Sequence, residues 1–514
     1  MPKDRVQAST WASIPCRVIE EQHAHWTERR EPRRNHRAPP YDTARDVPAE
    51  MVRASVLHYL LGLGASRGHL VKRPSLLRTS LLLLAAQVVF RAGDAALPLL
   101  LAAWFGRSRS TDVYYFTWAA FAFAGSLVFS VFQDSAIVPI LNDLRARGEH
   151  QGLGARVRGS LLAHTLFFGG VLSSIIGVLA AGSFALRYDG AELALAAKMV
   201  PIFCVYLVAL SVRTFFVAVL NAEHRYFAHP VAGAFAVATT VGLIAWLHVS
   251  LGIVIIPVAA LAGEVVSIAV LAFVALGRLG LRMPLTLERP EPVRRFVRLV
   301  ASEAGGGALT RVNPVVDQLM AGFAGVVGGG TLLRYSGDVS SVLTSLLQAS
   351  LLPVLLSVLS DELAHGKAVR DTVYRALGWS CGILAAASLL VFAVRAPLLR
   401  AVFLRGEMDA GGVDRMIDIL PYHLLGIAPF GALLVLARAH VALKNSRIMV
   451  SMGVLNASLN LVFDAVLVKP MGLRGLALST SLTHLIVALV FFYRLDLGLA
   501  RASEAIAQRE KEAA

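Results

Sequence analysis

Long apolar stretches separated by short polar loops dominate the chain from residue 79 onward. Most reach the length of about 20 residues that a helix needs to cross the hydrocarbon core of a bilayer. None alternates with the period of two that marks a half-buried strand. The pattern predicts twelve transmembrane helices, at residues 79–104, 112–142, 158–183, 194–221, 229–248, 252–277, 296–325, 332–360, 371–394, 412–437, 447–468 and 472–494.

Composition supports an all-α polytopic membrane protein. Of the 514 residues, 56% are hydrophobic and only 16% are charged, whereas a soluble domain carries about 25% charged residues. So few ionic groups cannot cover a water-facing surface, which argues against a typical cytosolic enzyme. The net charge of +15 comes mostly from the N-terminal segment and the loops, as in a positive-inside protein, and does not indicate a nucleic-acid partner.

The distribution of Lys and Arg predicts the orientation in the bilayer. Loops after even-numbered spans, and the helix ends beside them, carry more of these residues than loops after odd-numbered spans. Basic loops stay in the cytoplasm. We therefore expect both termini to be cytoplasmic.

The chain divides into five regions. Residues 1–70 are basic and proline-containing, and form either a cytoplasmic tail on anionic lipid or a disordered extension translated from upstream of a true start at Met51. A cytoplasmic linker, 278–295, separates a first six-helix lobe, 79–277, from a second, 296–494, and residues 495–514 form a cytoplasmic tail. Similar sequences at 135–141 and 349–355 favour a repeat of six helices.

Ionisable side chains within the spans are candidate functional residues, because each costs at least ~2.5–3.5 kcal/mol at the bilayer centre. Arg91 and Asp94 share one helix face, where they either act on cargo or neutralise each other. The other charged positions are Asp134, Arg213, Glu264, Glu303, Arg311, Asp317, Asp338 and Asp464.

One group of oxygen ligands stands out in the second lobe. Asn460 and Asp464 are four residues apart on span eleven, so their side chains point the same way. With Thr480 on span twelve and Asp317 on span seven, they offer the hard oxygen ligands that suit Na⁺, or a site for a proton. The alternative is a hydrogen-bonded polar contact between helices.

Other chemistry is not indicated. The three cysteines, Cys16, Cys204 and Cys381, are too far apart in sequence to suggest a disulfide framework or a zinc site. No glycine-rich phosphate loop follows a strand, so we expect no enzyme activity and no cofactor beyond a bound Na⁺.

Several segments together resemble the MurJ/MviN lipid II flippases of the multidrug/oligosaccharidyl-lipid/polysaccharide exporter superfamily. The resemblance extends over residues 79–494. The segments that carry it are 104–106 with Thr111-Asp112, 136–141, 220–226, 315–323, 403–407 and 436–444.

The resemblance implies two six-helix lobes around a central cavity, in a bacterial inner membrane. It implies alternating access that carries a lipid-linked saccharide across the lipid bilayer. It also implies a sodium site in the second lobe, and the positions that match the family's ligands are Asp317, Asn460, Asp464, Thr480 and the carbonyl of Leu476.

The cargo site of the family is matched less fully. Arg91 matches the first of its cavity arginines, but other such positions carry Leu97, Gly125, Ser126 and, in helix eight, approximately Asp338. Our candidates for cargo contact are Arg91, Asp94, Asp112, Asp134, Arg213 and Arg311. The family's two additional C-terminal helices have no counterpart, so lipid II and a surface-polysaccharide repeat unit on the same carrier are both candidate cargoes.

Three functions follow from these expectations. The first is a flippase for a polyprenyl-diphosphate-linked saccharide. The second is a cation-coupled exporter of small amphipathic molecules, which the same superfamily fold also provides. The third is a transport-inactive scaffold that binds glycan-synthesis enzymes.

Overall fold

The apolar stretches are helical in a computed structural model, which describes residues 96–129, 136–149, 152–307, 311–364, 369–443 and 447–513. The N-terminal region 1–70 and the candidate residues Arg91, Asp94 and Asp134 lie outside the described residues. The described residues belong to one compact unit, 72–514.

Two consecutive sets of helices make up this unit, and we call them the first half (96–278) and the second half (291–513). The first half contains α1 (Ala96–Phe105), α2 (Arg109–Phe129), α3 (Val138–Ala146), α4 (Gly152–Arg187), α5 (Gly190–Ala222), α6 (Ala228–Leu251) and α7 (Ile255–Ala272). The second half contains α8 (Glu291–Gly307), α9 (Asn313–Ala321), α10 (Gly329–Ala364), α11 (Arg370–Phe403), α12 (Ala410–Leu425), α13 (Ile427–Ala442), α14 (Arg447–Met471) and α15 (Leu473–Ala513).

Seven segments among the described residues are long and apolar enough to span a membrane. They are 152–185, 190–222, 228–278, 370–403, 410–442, 448–471 and 473–496. Large apolar side chains such as Phe167, Trp246 and Leu390 are exposed on these segments. A surface of this kind fits hydrocarbon and does not fit water. The chain is a multi-span all-α membrane protein.

Helices α2 and α10 are not among the seven, although they are 21 and 36 residues long. They pack against each other between the two halves, where Tyr115 meets Tyr335 edge to face at 5.5 Å between ring centroids. Helices α2 and α10 therefore form part of the contact between the halves.

Two predicted spans are interrupted in the structure. Within the span predicted at 412–437, one helix ends at Leu425 and the next begins at Ile427. A side chain at Gly426 would collide with Ser481, so the interruption coincides with a close approach of α15. The span predicted at 296–325 contains both α8 and α9.

At one end of the bundle, the two halves are joined by a contact that we call the clasp, between residues 103–107 and 406–409. Gly106 and Gly406 both adopt positive φ, 56° and 60°. A Cβ on Gly106 would collide with the Glu407 carbonyl, and one on Gly406 with the Ala103 carbonyl. The Glu407 amide donates to the Ala103 carbonyl at 2.9 Å. The clasp therefore needs glycine on both sides.

A charged pair completes the clasp. The Arg107 guanidinium donates to both oxygens of Asp409, from Nε at 2.7 Å and from Nη2 at 2.9 Å. These hydrogen bonds lower the pKa of Asp409 below its ordinary value. The pair is therefore intact at neutral pH, and it weakens only as the pH falls through that lowered pKa.

Candidate functional site

Two carboxylates and their polar neighbours meet between α9, α14 and α15. The Asn460 amide donates to Asp317 Oδ1 at 3.2 Å, and the Thr480 hydroxyl lies 3.4 Å from Asp317 Oδ2. The same hydroxyl lies 3.2 Å from the Leu476 carbonyl. Asp464 interacts electrostatically with Asp317. The structure thus brings together the five residues predicted for the cation site.

The turn between α14 and α15 positions these residues. Gly472 has a φ of 59° and lies between the last residue of α14 and the first of α15. Gly475 lies so close to the Leu467 carbonyl that a Cβ would collide with it. The tight turn places the polar face of α14 directly against the polar face of α15.

Ser479 is a sixth member of the site that the sequence did not indicate. Its hydroxyl donates to the Asn460 carbonyl at 3.2 Å and lies 3.4 Å from the Asn460 amide nitrogen. A serine in an apolar helix is ordinary in membrane proteins, so only the packing of α15 on α14 distinguishes it.

The site is buried in the protein, and this burial determines which ligands it can bind. Asn460, Asp464 and Ser479 are fully buried. Within the described part of the chain, neither oxygen of Asp464 has a hydrogen-bond partner, and neither does Asn460 Oδ1. Two carboxylates in a low-dielectric interior require a compensating positive charge. Carboxylate, amide, hydroxyl and carbonyl oxygens are the ligands that a hard cation prefers, so the residues fit Na⁺ or a proton.

The site opens onto a cavity between the two halves. A cavity of about 120 Å³ lies between α2 on one side and α9, α10 and α12 on the other. Its lining includes Asp317, together with Tyr115, Arg334, Gly337 and His423. Asp317 is half-buried, whereas Asn460 and Asp464 lie behind it. A cation entering from this cavity would meet Asp317 first.

Asp112, predicted to contact cargo, lies at a contact between the halves. Its Oδ1 accepts hydrogen bonds from the Thr331 amide at 2.9 Å and from the Thr331 hydroxyl at 3.0 Å. Thr331 is in the first turn of α10, where the backbone amides have no partner within the helix. The carboxylate of α2 therefore caps α10 across the two halves.

Arg213 and Arg311, two of the residues predicted to contact cargo, each contact another group of the protein. Arg213 Nε lies 2.7 Å from Glu264 Oε2, and both side chains are mostly buried within the first half. Arg311 Nη1 donates to the Ser126 carbonyl at 2.9 Å, which links the second half to α2. Of the two, Arg311 is the one that joins the halves.

Comparisons with known proteins agree with this architecture. A family model described as lipid II flippase MurJ matches residues 101–506. A probable lipid II flippase MurJ of Thermotoga maritima is 24% identical over 402 residues, which cover 75% of this chain and 78% of that protein. The lipid II flippase MurJ of Burkholderia cenocepacia is 25% identical over 423 residues, 78% of this chain and 80% of that protein.

Solved structures share the fold. A lipid II flippase MurJ in an inward closed conformation aligns with a TM-score of 0.67 at 17% identity, over 83% of this chain and 91% of that one. An inward-facing multidrug resistance MATE family transporter of the MOP superfamily also aligns with a TM-score of 0.67, at 13% identity, over 80% and 95%.

Proposed function

Because the chain belongs to the lipid II flippase MurJ family, we propose that it moves a polyprenyl-diphosphate-linked saccharide from the cytoplasmic to the outer leaflet. The cargo is lipid II or a surface-polysaccharide repeat unit. The protein is a membrane transporter and not an enzyme. In this proposal twelve spans form two six-helix lobes in a bacterial inner membrane, with both termini in the cytoplasm.

The observation that carries the proposed coupling is the buried oxygen site beside the cavity. Na⁺ between Asp317 and Asp464 would relieve the repulsion between two carboxylates in a low-dielectric interior. A proton could do the same. Either cation favours whichever conformation holds the two carboxylates close together.

A short path connects this site to the contact between the halves. Gln318 follows Asp317 on α9, and its side-chain amide donates to the Gly330 carbonyl at 3.0 Å. The Gln318 carbonyl accepts a hydrogen bond of 2.8 Å from Arg187 of the first half. A shift of α9 on cation binding would therefore act directly on contacts that join the halves.

Cargo recognition in this proposal uses cations between the halves. A diphosphate in a low-dielectric cavity needs positive partners. We assign this role to Arg91 and to Arg311, whose hydrogen bond to the Ser126 carbonyl is one that a phosphate oxygen could replace. The acidic candidates Asp94 and Asp134 would then hold such cations in position.

The test is transport by the purified protein in vesicles that contain a fluorescent polyprenyl-diphosphate oligosaccharide. We expect an inward-to-outward flux that depends on a cation gradient and that is abolished in Asp464→Asn. Asp414→Asn is the matched control, because Asp414 forms an exposed pair with Arg400 at 3.1 Å. Efflux of ethidium without lipid flipping would identify the small-molecule exporter instead. No transport of either, with retained binding of a glycosyltransferase, would identify the scaffold.

A further inference from the structure

The connection between the two halves, residues 279–290, leaves two large apolar side chains uncovered. Leu285 is 64% exposed and Leu287 is 75% exposed. Both lie beyond residue 278, where the last apolar span of the first half ends. A single exposed apolar residue is ordinary on a protein surface. Two of them in one short irregular segment mark a surface that another apolar partner covers.

The connection is fixed against α4 of the first half. A Cβ on Gly159 would collide with the Pro284 carbonyl. The Ser160 hydroxyl donates to the Glu288 carbonyl. These two contacts hold the backbone on either side of the exposed leucines. The leucine side chains are therefore presented at the surface in a fixed position.

The connection covers a face of α4 that is apolar and exposed further along the helix. Ser160 is seven residues, or two turns, before Phe167 and is therefore on the same side of α4. Phe167 is 59% exposed, and Val171 and Val178 are exposed as well, whereas Ser160 is fully buried. The connection thus lies on the lipid-facing surface of the bundle, about 10 Å from Phe167 along the helix axis.

Basic side chains surround the two leucines. The segment 278–298 contains six arginines and only two acidic residues. Arg282 and Arg289 flank the leucines, and both are exposed. On α8, Phe296 is fully buried while Arg298 is exposed, so this helix also directs a basic face outward. Exposed apolar groups among arginines fit a layer that has negative headgroups next to apolar chains.

We propose that residues 282–289 form a binding site for anionic phospholipid at the surface of the bilayer. Leu285 and Leu287 insert among the acyl chains, and Arg282 and Arg289 bind the phosphates of the headgroups. A protein partner could also cover the leucines, but the arginines and the adjoining lipid-facing surface of α4 favour the bilayer. The site is separate from the cavity and does not depend on the proposed transport function.

The experiment is quenching of a bimane label at position 287 in the purified full chain, reconstituted into vesicles. The label is attached to Leu287→Cys in a background of Cys16→Ser, Cys204→Ser and Cys381→Ser. The vesicles are equimolar mixtures of anionic phosphatidylglycerol and zwitterionic phosphatidylcholine, with bromine on the acyl chains of one lipid or of the other. One arginine near the surface enriches anionic lipid about fivefold. We expect quenching by brominated phosphatidylglycerol to be at least about twofold stronger.

Three variants test the cause of this preference. Arg282→Gln combined with Arg289→Gln should make quenching by the two lipids equal, because the label still enters the bilayer while the charge is lost. Arg400→Gln is the matched control for loss of an arginine, because Arg400 pairs with Asp414 elsewhere on the surface, and it should retain the preference. A label on Val178→Cys, in the apolar part of α4, should be quenched equally by both lipids.

Equal quenching by the two lipids at position 287, with both arginines present, would overturn the proposal. A preference that persists after the loss of both arginines would contradict it as well. If neither lipid quenches the label at 287 while both quench it at 178, the leucines lie outside the bilayer and a protein partner covers them. None of these measurements requires transport, so failure of the proposed function would leave their outcome unchanged.

Discussion

Asp464 is the residue on which the cation site depends most directly. It is fully buried, and neither of its oxygens has a hydrogen-bond partner among the described residues. A cation at about 100 times its dissociation constant stabilises the folded state by ~2.7 kcal/mol. We expect Na⁺ to raise the unfolding temperature of the wild type relative to K⁺ at equal ionic strength, and Asp464→Asn to abolish the difference.

Thermal unfolding in NaCl and in KCl measures this prediction. Asp414→Asn, at an exposed ion pair, is the control and should retain the difference between the two salts. A Na⁺-specific shift that persists in Asp464→Asn would show that Na⁺ binds elsewhere.

Which single residues meet could be predicted from sequence only in part. The grouping of Asp317, Asn460 and Asp464 was predicted because carboxylates are costly in a span and Asn460 is one helical turn from Asp464. Arg334 is not among the residues predicted for a site, because its access to the cavity depends on how α10 packs. The sequence of a single chain does not give the distances between its helices.

At the scale of elements, the clasp brings into contact two glycine-containing segments, 103–107 and 406–409, that are far apart in the sequence. Gly106 follows α1 and Gly406 follows α11, 300 residues later. A side chain on Gly106 would collide with the Glu407 carbonyl, and one on Gly406 would collide with the Ala103 carbonyl. Strain from a non-glycine residue at positive φ costs of order 1–3 kcal/mol. The added steric overlap with the Ala103 carbonyl makes the cost at Gly406 larger.

We therefore expect Gly406→Ala to open the clasp. Arg107→Cys with Asp409→Cys places two thiols across it, and oxidative crosslinking of this pair should become several-fold slower when Gly406→Ala is added. Gly378→Ala is the matched control, because a Cβ there meets nothing within 4 Å. An unchanged crosslinking rate in Gly406→Ala would show that the clasp tolerates a side chain.

The cap that α2 provides to α10 gives a second prediction at this scale. Asp112→Ala removes the acceptor for both hydrogen bonds of Thr331, and loss of an N-terminal cap costs ~0.5–2 kcal/mol. Destabilisation measured by thermal unfolding, with unchanged affinity for farnesyl diphosphate, would identify Asp112 as a structural link. A selective loss of that affinity, without destabilisation, would restore the predicted cargo role.

The positions of the helices could largely be predicted from the sequence, because the length of an apolar stretch is a local property of the chain. The predicted spans from 158 onward all contain helices in the structure. The interruption at Gly426 was not predicted, since it depends on the approach of Ser481 from α15. Local patterns therefore give the elements, and breaks caused by a neighbouring helix need the packed structure.

For the whole molecule, the cation site and Arg334 belong to one cavity, because Asp317 and Arg334 both line it. A cation bound at Asp317 makes the cavity less negative and so favours an anion at Arg334. Two unit charges ~10 Å apart at an effective dielectric constant of ~20 interact by about 1.7 kcal/mol. That energy corresponds to a change in affinity on the order of tenfold.

We therefore expect the wild type to bind farnesyl diphosphate up to about tenfold more tightly in NaCl than in KCl at equal ionic strength. Asp464→Asn should bind it with the same affinity in both salts, because the cation site is lost while Arg334 remains. Thermodynamic linkage requires farnesyl diphosphate to raise the affinity for Na⁺ by the same factor, so calorimetry from both directions must agree. Equal affinity of the wild type in the two salts would mean that cation and cargo bind independently, and the energy of the ion gradient would then have to reach the cargo through the contacts between the halves alone.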